Sequence, residues 1–175
     1  RHDGNVKLYR IEHGRLEEVA ASKPGTDSAF GFYFKPEREG FYVIGTGSTF
    51  TPQDKYTFYF RKKDQLNLKV VDTTYVLTGQ NSPENQAVEK WHNTLLSLER
   101  KGIYFSMSRS TYVDFFPLLE KIHAQVRQTK YPSTGNKTFD AEFAVYREMD
   151  LLFCASELLS TPRSVHPSAA DYTAY

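Results

Sequence analysis

At 175 residues, with 39% hydrophobic and 15% aromatic side chains, the chain has material for one substantial core or two small ones and reads as folded, not disordered. Its 22 lysines and arginines nearly balance 21 aspartates and glutamates, and a net charge of +1 gives no electrostatic basis for binding nucleic acid or an anionic membrane surface. No apolar run approaches the roughly 20 residues that span a bilayer, and the single cysteine, Cys154, can close no intrachain disulfide and form no C-x-x-C redox pair.

The opening Arg1-His2-Asp3-Gly4 has the pattern of neither a signal peptide nor a helix, and is expected to follow a processed or trimmed segment. Val6 to Ile11 then alternates with period two, His13-Gly14 offers a turn, and Leu16 to Ala21 returns as a partner strand. Lys23-Pro24-Gly25-Thr26-Asp27-Ser28 is turn chemistry. After it Phe30, Phe32 and Phe34 alternate with Gly31, Tyr33 and Lys35, a strand face that needs covering. Further runs at Phe41 to Ile44, Tyr56 to Phe60, Leu66 to Val71 and Tyr75 to Leu77 bring the expectation to about seven short strands, an antiparallel sandwich or curled sheet.

At Gly79 to Asn85 the periodicity changes. Ser82 can cap a free amide, Pro83 fits the first helical position, and Glu84 faces the positive end of the helix dipole. Three helices follow, so the fold class is α+β. The first, from Pro83 to about Lys101, places Ala87, Val88, Trp91, Leu95 and Leu98 on one face and ends at Gly102. The second carries a stripe at Phe115, Leu119, Ile122 and Val126. Asp114 is the preferred cap over Thr111, because it keeps Pro117 within the first turn. The third, from about Lys137 to Leu159, is apolar over so wide an arc that packing on two sides is expected. The organisation is therefore a β region over 1–81, a helical region packed on it over 82–162, and a polar linker over 163–175. Because the Phe30, Phe32, Phe34 face and the Trp91 stripe each lack a partner within their own half, the two halves are expected to share one core.

No catalytic constellation emerges, and no cofactor motif or metal-ligand spacing. His92 lacks H-x-x-x-H or H-E-x-x-H spacing and reads as a helix-surface histidine. Glu120 and His123 have the spacing of an ordinary helical salt bridge. The serines between Ser106 and Ser110 lack the G-x-S-x-G of a nucleophile elbow. Gly45-Thr46-Gly47-Ser48 lacks the third glycine and the lysine of a phosphate loop. Cys154 reads as a small hydrophobe, and Trp91 as a core anchor.

Several stretches together resemble the N-terminal, DUF4369-like domain of thioredoxin-like thiol:disulfide oxidoreductases from the cell envelope of Bacteroidetes. They are Val6-Lys7-Leu8-Tyr9, the run from Tyr56 to Val70, the junction from Leu77 to Asn85, Glu89-Lys90-Trp91-His92-Asn93, and Ser110 to Leu118. The resemblance implies a periplasmic or envelope location and a thioredoxin-like domain C-terminal to this chain. Without a C-x-x-C the chain carries none of that family's redox chemistry and is expected not to be an enzyme. The leading expectation is a non-catalytic accessory domain that positions the redox module, offers it a partner surface or mediates homodimerisation, with Arg163, His166, Tyr172 and Tyr175 as contacts at the domain junction. The alternative is an independent peptide- or glycan-binding module of the envelope.

Overall fold

The first ladder is set by its turn. His13 and Gly14 both adopt positive φ (49° and 73°), the conformation whose twist matches a two-residue hairpin, and they join β1 (Val6–Glu12) to β2 (Arg15–Ser22). The register slips once, between Leu8 and Tyr9, where a bulge leaves Val19 out of the pairing. A computed structural model of the chain describes residues 4–45, 55–71, 74–102 and 112–160. Among them the protein is α+β, with six strands in two antiparallel sheets followed by three helices. The larger sheet has the order β2-β1-β3-β4, with β3 at Gly40–Gly45 and β4 at Lys55–Phe60; β5 (Leu68–Val71) and β6 (Thr74–Leu77) form a separate hairpin.

One face of the larger sheet buries Val6, Leu8, Tyr42, Ile44, Phe58 and Phe60. Tyr75 brings the β5–β6 hairpin onto that face, its ring centroid 4.8 Å from Phe58 and 5.3 Å from Tyr56. The seventh expected strand behaves differently. Phe30, Phe32 and Phe34 alternate inward as the pattern requires, and Phe34 packs 5.4 Å from Tyr42 and 5.3 Å from Phe60, yet residues 30–35 pair with no strand among the described residues. The phenylalanine face therefore finds its cover within the β region itself, contrary to the expectation that it lacked a partner there.

The start of α1 (Pro83–Gly102) follows its local chemistry. The Asn85 N–H donates to Ser82 Oγ at 3.3 Å, and the Gln86 N–H closes the first turn on Ser82 O at 3.1 Å. Three polar side chains at four-residue spacing then bond the main chain of the β region. Asn81 Oδ1 accepts from the Asn67 N–H (2.8 Å) while its Nδ2 donates to Asn67 O (3.1 Å). Asn85 does the same to Tyr59, at 2.8 and 2.9 Å, and Glu89 Oε1 accepts from the Leu77 N–H at 2.6 Å. Each asparagine thus satisfies both main-chain groups of one residue, as a neighbouring strand would. Glu84 is almost fully buried and is neutralised by Arg61 at 3.2 Å.

The chain divides into two compact units, Arg1–Lys90 and Trp91–Tyr175, with the boundary inside α1. In the second unit α2 (Tyr112–Gln128) begins before Asp114, so the expected cap is corrected and Pro117 lies inside the helix. A proline there removes one i to i−4 bond. What outweighs that loss is burial in helical register of Phe115, Phe116 and Leu119, each 7% exposed or less. The third helix, α3 (Lys137–Ser160), starts at Asn136, whose Oδ1 accepts from the Phe139 N–H at 3.1 Å. Among the described residues no helix is long and apolar enough to cross a membrane.

Candidate functional site

The second unit contains a buried polar cluster. Trp91 is 1% exposed, and its Nε1–H donates to Asp150 Oδ2 at 2.8 Å. Arg147 lies over the Tyr131 and Phe143 rings, 4.2 and 5.1 Å from their centroids. Burial raises the Asp150 carboxyl above its ordinary range against the opposing hydrogen bonds from Trp91 and Tyr146. Burial and the nearby Asp150 charge push Glu99 up to about 8, while burial, helped by Arg100, holds His92 down at about 4. His92 Nδ1 and Glu99 Oε2 are 3.7 Å apart, but a neutral imidazole facing a protonated carboxyl is not an ion pair at neutral pH. The Cys154 thiol is fully buried, and burial together with Asp150, Glu99 and Glu157 drives it far above its ordinary range, so it stays protonated.

Linkage gives this cluster a measurable signature. Between pH 6.5 and 8 the unfolded chain has lost the Glu99 proton that the folded protein keeps, so stability falls as pH rises, by at most about 2 kcal/mol over that window. The His92 contribution has the opposite sense: it is fully present above pH 6.5 and lost as pH falls through about 4. Glu99→Gln is expected to flatten the slope between pH 6.5 and 8 in urea denaturation at a series of pH values. An unchanged slope would show that Glu99 titrates normally in the fold.

Two surfaces, one in each unit, stand out in addition to the cluster. On α3, Phe139, Phe143, Leu151 and Cys154 are buried, while Val145, Met149, Leu152 and Phe153 are 58, 55, 60 and 41% exposed. The exposed four fall within one helical stripe, so the wide apolar arc of this helix is half covered and half bare. In the first unit, residues 27–36 and 60–70 line a groove of about 1230 Å3, with Leu8 and Ile44 also contributing.

The residues singled out in the sequence are distributed unevenly over these features. Trp91 is the expected anchor. His92 is not a surface histidine: its side chain is only 13% exposed and lies beside Glu99. Glu120 and His123 form no ion pair; Arg127 Nε–H donates to the His123 carbonyl at 3.4 Å instead. The serines from Ser106 to Ser110, Thr46-Gly47-Ser48, and Arg163, His166, Tyr172 and Tyr175 lie outside the described residues. Sequence reasoning missed Glu99 and Asp150. A signal was present for the first, since Glu99 follows His92 by two helical turns and so shares its face. Among the described residues no group of three or more His, Cys, Asp or Glu is placed to hold a metal ion.

Comparison of the chain with protein-family models, with curated proteins and with solved structures gave no match.

Proposed function

We propose that the chain is a non-catalytic accessory domain that docks a neighbouring folded module through the bare face of α3. The module implied by the sequence resemblance is a thioredoxin-like oxidoreductase of a bacterial cell envelope. The observation that carries this reading is the stripe of Val145, Met149, Leu152 and Phe153, four large apolar side chains exposed together on one helix. Single exposed hydrophobes are ordinary, whereas a contiguous stripe is favourable only when something covers it. With one cysteine the chain has no dithiol, so in this reading the redox step falls to the partner. Tethering would raise the partner's effective concentration to about the millimolar range for a short linker.

The coding frame past Tyr175 tests the linkage: a thioredoxin fold bearing C-x-x-C is expected, and a stop codon there would remove the tethered form of the proposal. The surface is tested separately by Met149→Lys combined with Leu152→Lys. Both positions are exposed, so stability should change by no more than about 0.5 kcal/mol per site. Protection of residues 145–156 from hydrogen exchange by the added module should disappear in the double variant. Equal protection in both proteins would sink the docking face. A wild-type dimer that the two lysines dissociate would reassign the face to self-association.

A further inference from the structure

Residues 30–35 have the side-chain alternation of a strand, with Phe30, Phe32 and Phe34 half-buried against the core and Gly31, Tyr33 and Lys35 exposed. The one hydrogen bond their main chain makes to a described residue is from the Gly31 N–H to Ser22 Oγ, at 3.2 Å. In an extended chain the main-chain groups of alternate residues share an edge, so Gly31 shares its edge with Tyr33 and Lys35. The opposite edge, formed by the N–H and C=O groups of Phe30, Phe32 and Phe34, is bonded to nothing described. Packing of three phenylalanines therefore holds about 20 Å of strand-like backbone in place while the hydrogen-bonding groups of that opposite edge stay open.

This run borders the groove of the first unit, and the groove is charged in one sense. Lys35, Lys62, Lys63 and Lys69 line it, and none of them forms an ion pair among the described residues. Its two carboxylates are engaged locally. Asp27 Oδ1 accepts from the Ala29 N–H at 3.0 Å, and Asp64 binds the Arg61 main chain and guanidinium at 3.0 and 3.2 Å. A glycan platform needs open aromatic faces, but Phe34 is engaged with Tyr42 and Phe60, and Tyr33 alone stands free in solvent. Open main chain, an apolar floor and unpaired lysines suit a strand that brings its own carboxylates.

We propose that the groove takes an extended acidic peptide from another protein, which adds as a strand to the open edge of residues 30–35. Alternate apolar side chains of the peptide face the groove floor, and its carboxylates meet the lysines. This inference is independent of the docking role of α3, and no residue of that face takes part in its test.

The probe is a fluorescein-labelled heptapeptide alternating glutamate and valine, followed by anisotropy, with a lysine–valine peptide as control. The acidic peptide is expected to bind at least tenfold more tightly, less so at high salt, and to slow exchange of the amides of residues 30, 32 and 34. N-methylation of one alternate set of peptide residues should weaken binding at least tenfold while the other set leaves it intact, because only one edge of the added strand pairs. Lys62→Glu combined with Lys69→Glu, both exposed, leaves two lysines against two new carboxylates and should abolish the preference for the acidic peptide, and Tyr33→Ala should change nothing. Absence of binding, indifference to N-methylation in both sets, or loss of binding in Tyr33→Ala would overturn the proposal, the last in favour of a stacking ligand. Concentration-dependent protection of the same amides without peptide would overturn it in favour of a second copy of this chain.

Discussion

Trp91→Ala is expected to cost about 3–5 kcal/mol of folding stability, the range for truncating a fully buried large aromatic. The indole is 1% exposed, lies 6.4 Å from the Tyr131 ring, and gives its N–H to a buried carboxyl group. Two losses therefore coincide: the cavity, and a donor withdrawn from Asp150. Trp91→Phe separates them, since it retains most of the apolar volume and removes the donor, and should cost about 1–3 kcal/mol. Chemical denaturation followed by far-UV circular dichroism measures both variants. A Trp91→Ala protein as stable as the wild type would mean that the ring is not a core anchor.

The second large effect is expected at Asn85→Ala, about 2–5 kcal/mol, because the substitution strands both main-chain groups of Tyr59 in a site that water does not reach. Asn85 and Tyr59 are both fully buried. Asn81 makes the same pair of bonds to Asn67, but both residues are half-exposed, and water can replace the lost amide. Asn81→Ala should therefore cost only about 1 kcal/mol. Equal losses at the two sites would show that burial does not set the scale here.

What the sequence made legible was chiefly local. Ser82 and Pro83 start α1 where expected because a cap bonds its own next turn, and His13-Gly14 turns the first hairpin because two residues carry all the conformation required. The alternation of Phe30, Phe32 and Phe34 gave the correct inward face but not the absence of a ladder, since period two reports which side a residue faces and says nothing about neighbours. Pro117 argued for a later start to α2 on a local rule, and the burial of Phe115, Phe116 and Leu119 overrode it. The Trp91–Asp150 bond joins residues distant in the chain, and nothing in the pattern around either points to the other; for Glu99 the sequence offered only its place on the His92 face, not the burial that perturbs it. That Asn81 and Asn85 would each bond both sides of a distant peptide unit depends on tertiary approach alone.

The Asn85 bonds also bear on how the protein behaves when crowded. A β-rich chain polymerises when the outermost strand of one molecule templates the next, and fibre growth needs two such strands per molecule. At one end of the larger sheet, β2 carries Arg15, Glu17 and Glu18 and a bulge; at the other, Asn85 already fills the hydrogen-bonding positions of Tyr59 on β4. Growth through the outer strands of this sheet is therefore opposed at both ends by the chain's own residues, which leaves the edge of residues 30–35 as the place where a further strand can add.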